Sequence, residues 1–139
     1  MSTVLLQKLD SLQRCITRIE AKTPSQLELF RADIDAQDIL ILNLQRAVQL
    51  AVDICAIVIQ KAGSKPAGTM REVFEIAQKE NILEEKLALA MVNAVGFRNI
   101  AVHQYKSLDL DLVYTIAQKS VQDLRFFLAA LKHNIEETE

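Results

Sequence analysis

The stretch that decides the fold runs from Ala36 to Ala62, with the sequence AQDILILNLQRAVQLAVDICAIVIQKA. Its apolar residues recur through every turn of a helix, so it predicts the longest helix of the chain. Apolar side chains on nearly all sides are typical of a helix that packs both within its own bundle and against a second subunit. Among its polar residues, Asn43, Arg46 and Asp53 fall at spacings of three and seven, which places them on one face.

The rest of the chain predicts helices before and after this one. Runs of apolar residues at helical spacing are bounded by capping residues, prolines or glycines, which mark the ends of helices. Before the long helix, we expect a helix from Ser2 or Thr3 to about Ala21 and a short helical turn at Gln26 to Phe30, with Asp33 or Asp35 as the next cap. After it, we expect helices from Thr69 (with Glu72 as a capping box) to about Lys79, from about Leu83 to Phe97 ending near Gly96, and from about Leu110 to His133, followed by frayed residues Glu136 to Glu139.

Composition agrees with an all-α class. A chain of 139 residues has the size of a single domain and can bury one substantial core. Half of its residues are apolar, whereas three glycines and two prolines are few for a fold rich in turns. The sequence therefore predicts one domain over residues 1–139, a bundle of four long helices plus one or two short helices.

Charge and hydropathy limit the kinds of partner. The formal charge is −2 and the isoelectric point is near 5.7, so no global field favours nucleic acid. Any site for RNA or phosphate must therefore be local, built by a few arginines. The mean hydropathy of +0.13 is high for a small bundle, and exposed apolar surface usually marks an interface, so we expect a homodimer.

Nothing in the sequence indicates a membrane or an oxidising compartment. The longest apolar run, Leu50 to Ile59, is interrupted by Asp53 and is too short to cross a bilayer. The N-terminus lacks the pattern of a secretory leader. Cys15 and Cys55 suit reduced, buried thiols better than a disulfide framework. We therefore expect a cytoplasmic protein without membrane contact.

The octet Arg98 to Tyr105, RNIAVHQY, concentrates the reactive side chains of the chain. It holds one of only two histidines and one of only two tyrosines. On an ideal helix Arg98 and His103, five residues apart, point roughly 140° away from each other. They converge if the helix ends near His103 and the chain turns there, or if a symmetric dimer brings two octets together across its axis.

These side chains suit cleavage of an RNA phosphodiester without a metal. The guanidinium of Arg98 binds phosphate oxygens bidentately and stabilises the charge that develops on phosphorus. His103 can remove the proton of the ribose 2′-hydroxyl or protonate the leaving 5′-oxygen. Asn99 adds a hydrogen-bonding group, and Tyr105 can orient the phosphate or stack on a base. The structural alternative is that Arg98 and His103 satisfy carbonyls at a helix C-terminus.

Two residues of the long helix are supporting candidates. A carboxylate such as Asp53 is costly in an apolar stretch unless it is paired. It can pair with Arg98 or His103 and orient the site, or form an ion pair with Arg46 or another basic residue of the bundle. Arg46 can in turn extend the phosphate-binding surface or serve only in a structural pair. With two histidines and no Cys-x-x-Cys pattern, the sequence offers no metal site, and we expect no cofactor.

The pattern R-N-x-x-x-H-x-Y between two helices of a small all-α chain resembles the HEPN superfamily, and more closely its HepT-type toxins. Asn99 directly after Arg98, the long Asp-bearing helix upstream and the passage from Tyr105 to Ile116 add to the likeness, which spans essentially the whole chain. The resemblance implies a HEPN-like fold, a homodimer whose motif lines a cleft between protomers, and metal-independent ribonuclease activity with Arg98 and His103 as catalytic residues.

The resemblance also implies a partner and a means of control. HepT-type toxins are paired, in type VII toxin–antitoxin systems, with a minimal nucleotidyltransferase antitoxin of the MNT type. That antitoxin is thought to neutralise the toxin by transferring AMP to the motif tyrosine, here Tyr105. Two other functions remain open: a non-catalytic subunit that presents substrate to a partner nucleotidyltransferase, and a purely structural helical adaptor.

Overall fold

The computed structural model describes residues 2–138, and the regular structure in that range is entirely helical, as predicted. Four long helices and two short ones make up the bundle, and a 3-10 turn at Tyr105–Ser107 separates the last two. In chain order they are α1 (Thr3–Lys22), α2 (Leu27–Ala32), α3 (Ile34–Lys61), α4 (Met70–Lys79), α5 (Glu85–His103) and α6 (Leu110–Thr138).

Three of the predicted helix caps are present. The side chain of Ser2 accepts from the backbone N–H of Leu5 (3.2 Å) at the start of α1. The Asp33 carboxylate accepts from the N–H of Ala36 (3.0 Å), and the Thr69 hydroxyl accepts from the N–H of Glu72 (3.1 Å). Each cap satisfies an N–H group that has no partner within its own helix, so the local sequence fixes where α1, α3 and α4 begin.

Two predicted helix ends are wrong. The helix α5 continues past Gly96 to His103, because an interior glycine costs only about 1 kcal/mol relative to alanine and buried Phe97 and Ala101 hold the following turns against the core. The helix α6 continues past His133 to Thr138, where buried Ile135 anchors the segment that was expected to fray. Glu139 lies outside the described residues.

The long helix α3 lies at the centre of the bundle and contacts all five other α-helices. By length and composition alone, α3 could cross a bilayer, since an 18-residue window of it has a mean hydropathy of 1.5. The run from Leu50 to Ile59, the longest apolar run of the sequence, is too short to do so. However, 56% of that window is buried inside the bundle, as in the core helix of a soluble protein. The apolar character of α3 is therefore explained by its neighbours.

Adjacent phenylalanines on α6 provide a matched test of the core. Phe127 is fully buried and packs edge-to-face on Phe74 with ring centroids 6.0 Å apart, whereas Phe126 is 65% exposed. Phe127→Ala is expected to lower the free energy of unfolding by about 3–5 kcal/mol, because the lost apolar contacts leave a cavity. Phe126→Ala should change it by less than about 0.5 kcal/mol. Urea denaturation measures both, and equal losses would contradict this packing.

Candidate active site

The octet spans the end of α5 and the turn that follows it. Arg98 to His103 form the last turns of α5, and the backbone N–H of Gln104 donates to the carbonyl of Ile100 (2.8 Å) to close the helix. Gln104 then leaves helical geometry, with φ −130° and ψ 36°, and Tyr105 begins the 3-10 turn. The turn expected near His103 is therefore present.

The octet contacts α3 at two points, Asp38 and Gln49. Arg98 Nη2 donates to Gln49 Oε1 (3.4 Å), and the hydroxyl of Tyr105 donates to the carboxylate of Asp38. Because Asp38, Leu42 and Gln49 are four and seven residues apart, they share one face of α3. Leu42, between the two contacts, is 45% exposed. The octet and this face of α3 thus form one surface with an apolar side chain at its centre.

Arg98 is held firmly on one side and open on the other. Besides its bond to Gln49, its Nη1 donates to Asn99 Oδ1 (3.1 Å), so Asn99 orients the guanidinium. The Nε–H group of Arg98 is buried and has no hydrogen-bond partner within residues 2–138. Arg98 as a whole is only partly buried, so the Nη–H groups that Gln49 and Asn99 leave unused can reach a ligand. The arrangement is compatible with binding of an anion such as phosphate.

Of the two alternatives for Asp53, direct pairing with Arg98 or His103 is not observed. Its carboxylate accepts from Lys8 Nζ (3.2 Å) and from Gln49 Nε2 (2.9 Å), so the alternative of an ion pair with a basic residue of the bundle is correct. Gln49 links the two groups, since its amide donates to Asp53 while its oxygen accepts from Arg98. Asp53 thereby fixes the orientation of the amide that holds the arginine.

The sequence pattern did not indicate Gln49 or Asp38. Gln49 precedes Asp53 by four residues, a spacing that permits a side-chain bond on one helix face and was the available signal. Asp38 had no such signal, because its partner Tyr105 is 67 residues away.

His103 stands apart from Arg98. Its side chain is exposed and forms no hydrogen bond to any residue between 2 and 138. Because α5 is a continuous helix through both residues, they point roughly 140° apart around its axis. The fold of one chain thus joins Arg98, Asn99 and Gln49 but does not bring His103 onto the same face.

Tyr105 is half-exposed, and its hydroxyl faces an acid. The hydrogen bond to Asp38 raises the pKa of Tyr105, and burial and the negative charge of Asp38 add to that shift. The hydroxyl is therefore protonated at neutral pH, with its proton directed at a carboxylate that can accept it.

The remaining candidates have simple environments. Arg46 is exposed and forms no ion pair in the described part of the chain, so the structural pair considered for it is not observed. Cys15 and Cys55 are free and buried, as expected, and burial raises the pKa of Cys55 to about 12. Among residues 2–138, no three His, Cys, Asp or Glu side chains cluster as metal ligands do.

Comparison with known proteins matches the chain to one family. The family model described as "Ribonuclease HepT-like" matches residues 12–131. The mRNA nuclease HepT of Shewanella oneidensis is 30% identical over 132 residues, which are 95% of this chain and 98% of that protein.

Solved structures give the same result. The chain resembles the tri-AMPylated Shewanella oneidensis HEPN toxin in complex with MNT antitoxin, with a TM-score of 0.87, 30% identity and coverage of 96% of this chain and 99% of that one. A toxin–antitoxin structure with AMP-PNP matches with a TM-score of 0.85, 29% identity and coverage of 94% and 99%. The helical bundle is therefore the HEPN fold that the resemblance implied.

Proposed function

This chain belongs to the HepT-like ribonuclease family, and we propose that it is the toxin of a type VII toxin–antitoxin pair, an endoribonuclease that cleaves RNA without a metal ion. One observation carries the proposal. Arg98 is oriented by Gln49 and Asn99 and is only partly buried, near the end of the helix that carries exposed His103. An oriented guanidinium can bind a phosphate, and an exposed imidazole nearby in sequence can act as a general acid–base once a second protomer brings the two groups together.

The reaction follows from the two side chains. Arg98 binds the non-bridging oxygens of the scissile phosphate and stabilises their growing charge. The ribose 2′-oxygen attacks phosphorus as its proton leaves to a base, and the bond from phosphorus to the 5′-oxygen breaks as that oxygen gains a proton. His103 supplies one of these proton transfers. The products are a 2′,3′-cyclic phosphate and a 5′-hydroxyl end.

A homodimer completes the site in this proposal, with residues 1–139 as one HEPN-like domain in each protomer. Arg98 and His103 face different ways on α5, so a two-fold axis beside the octet is the remaining way to bring one protomer's arginine near the other's histidine. Exposed apolar side chains support such an interface, since Leu42, Ile100 and Val102 lie on or beside the octet. Pairing would remove this surface from water.

The partner in this proposal is an MNT-type nucleotidyltransferase in the same cytoplasm, because the related Shewanella toxin is tri-AMPylated in complex with its MNT antitoxin. Tyr105 is the acceptor: it is half-exposed and follows Arg98 by seven residues. Its hydroxyl contacts Asp38 on the same face of α3 that holds Arg98 through Gln49. An adenylyl group there adds bulk and negative charge to the surface that carries Arg98, which opposes the binding of RNA.

Cleavage of a labelled single-stranded RNA by the purified protein tests the function. Cleavage should proceed in EDTA, yield a 2′,3′-cyclic phosphate end, and stop after incubation with the cognate nucleotidyltransferase and ATP. Loss of cleavage in EDTA with recovery on adding Mg²⁺ would contradict metal independence. Tight binding to the nucleotidyltransferase without any cleavage would favour the non-catalytic binding subunit instead.

A further inference from the structure

A second basic feature lies outside the octet, in a cleft of about 500 Å³ between α1 and α3. Three arginines line it: Arg14 and Arg18, four residues apart on α1, and Arg46 on α3. Cys15 and Leu50 form an apolar part of its wall. The cleft is a local concentration of positive charge on a chain whose formal charge is −2.

The charge of this cleft is almost uncompensated. Arg14 has an acidic neighbour, Asp10, at 3.9 Å, but both side chains are more than 70% exposed, so this pair contributes little. Neither Arg18 nor Arg46 forms an ion pair within the described residues. Burial raises the pKa of Cys15, while Arg46, Arg14 and Arg18 all act to lower it, so all three charges converge on one thiol. Three converging guanidinium groups repel one another unless an anion lies between them.

The cleft is continuous with the proposed site of cleavage. Gln49 lines the cleft and also accepts the hydrogen bond from Arg98. From Gln49 to Asn43, which lines its other part, α3 advances by roughly 9 Å. At about 3.4 Å for each stacked nucleotide, this length matches two or three nucleotides.

We propose that the cleft between α1 and α3 binds the phosphate backbone of RNA two or three nucleotides away from the phosphate held by Arg98. The proposal rests on the nuclease function above and adds where the substrate strand runs. Arginine forks bind phosphate oxygens, and the apolar wall accommodates ribose. An acidic protein surface could also bind to these arginines. However, Gln49 lines the cleft and also holds Arg98, which favours RNA, the substrate whose phosphate Arg98 binds.

The test compares Arg14→Gln/Arg18→Gln with a control that removes equal charge elsewhere. Arg71 on α4 and Lys132 on α6 are exposed and lie outside the cleft, so Arg71→Gln/Lys132→Gln is that control. Both pairs are made in His103→Ala protein, so that RNA stays intact during titration. Fluorescence anisotropy with a labelled RNA of about twelve nucleotides then gives affinity at several KCl concentrations.

Affinity should fall about a hundredfold in the cleft variant, because each of its two lost charge-assisted hydrogen bonds is worth about tenfold. The slope of log affinity against log salt should shrink by about 1.4, since each lost contact to a single strand contributes about 0.7. Arg14→Lys/Arg18→Lys keeps the charge and should retain most of the slope, and the control should match the parent protein. The loss should be small for a dinucleotide, whose single phosphate is held by Arg98 and which does not reach the cleft.

Two outcomes overturn the proposal while leaving the nuclease function intact. In the first, wild-type protein cleaves RNA but the cleft variant keeps the parent affinity and salt slope. In the second, the cleft variant binds RNA normally and instead loses its complex with the nucleotidyltransferase, which would make the cleft a protein-binding surface. A wild-type protein that neither binds nor cleaves RNA would overturn the proposed function itself.

Discussion

Replacing His103 with alanine is expected to slow RNA cleavage by about 10²- to 10⁴-fold, the usual contribution of a positioned general acid–base. The loss should appear in the rate at saturating RNA more than in RNA affinity, because proton transfer occurs only in the transition state. His133, the other histidine, lies on α6 with an exposed side chain 3.2 Å from the carboxylate of Glu137. His133→Ala is therefore the matched control and should cleave at the wild-type rate. Single-turnover kinetics with a short labelled RNA measures both.

The growth of a host cell provides an independent test of the role of His103. In a host without the partner nucleotidyltransferase, the wild-type chain should arrest growth and His103→Ala should not. Equal growth with both would contradict the toxin assignment. Circular dichroism and urea denaturation should show an unchanged fold, because His103 is exposed and makes no side-chain hydrogen bond within residues 2–138.

Even a conservative substitution of Arg98 is expected to abolish most of the RNA cleavage. Arg98→Lys keeps the positive charge but loses the planar fork that Gln49 and Asn99 hold, so it should recover little activity. The double variant Arg98→Ala/His103→Ala should be scarcely slower than either single one, as expected for groups that act on one transition state. Fully additive losses would show that the two residues serve separate steps.

Periodicity and capping residues were sufficient for the helices. The side chains of Ser2, Asp33 and Thr69 mark the starts of helices, because each accepts a hydrogen bond from the backbone N–H three residues later. The end of α5 was not predictable in the same way. Gly96 resembles a terminator locally, and only the burial of Phe97 and Ala101 against other helices carries α5 onward.

The hydrogen bonds of the site join parts of the chain that are distant in sequence. Lys8 meets Asp53 across 45 residues, and Arg98 meets Gln49 across 49. Helical spacing shows which residues share a face, but the packing of α1 and α5 on α3 decides which faces meet. The octet could therefore be recognised as chemistry from its residue types, whereas the groups that orient Arg98 required the structure.

Incubation with the cognate nucleotidyltransferase and ATP is expected to add AMP to the wild-type chain and none to Tyr105→Phe. Mass spectrometry of the intact protein measures the adducts. Tyr114, the other tyrosine, is buried and donates to the carbonyl of Pro24 (2.6 Å), so Tyr114→Phe is the matched control and should be modified like wild type. Adducts that persist in Tyr105→Phe would place the acceptor elsewhere.

Asp38 should determine how fast Tyr105 is modified. When the phenolic oxygen attacks the α-phosphorus of ATP, the new oxygen–phosphorus bond forms, the bond to pyrophosphate breaks, and the phenol must lose its proton. A tyrosine hydroxyl is ordinarily protonated at neutral pH, Asp38 raises the pKa of Tyr105 further, and the proton is directed at the Asp38 carboxylate. Asp38→Asn keeps an oxygen that can accept the hydrogen bond but removes the carboxylate that can take the proton, so it should slow AMP transfer by about 10²-fold.

Variants of the contact between Tyr105 and Asp38 should distinguish AMP transfer from RNA cleavage. Tyr105→Phe lacks the acceptor oxygen but keeps Arg98 and His103, so it should cleave RNA and resist neutralisation by the nucleotidyltransferase. Asp38→Asn should cleave RNA like wild type and be neutralised slowly. If Tyr105→Phe loses cleavage as completely as His103→Ala, Tyr105 takes part in the reaction itself. In wild-type protein, AMP transfer adds negative charge to the surface that carries Arg98. It also removes the proton that holds Tyr105 to Asp38, so the carboxylate that positioned the turn repels it after modification.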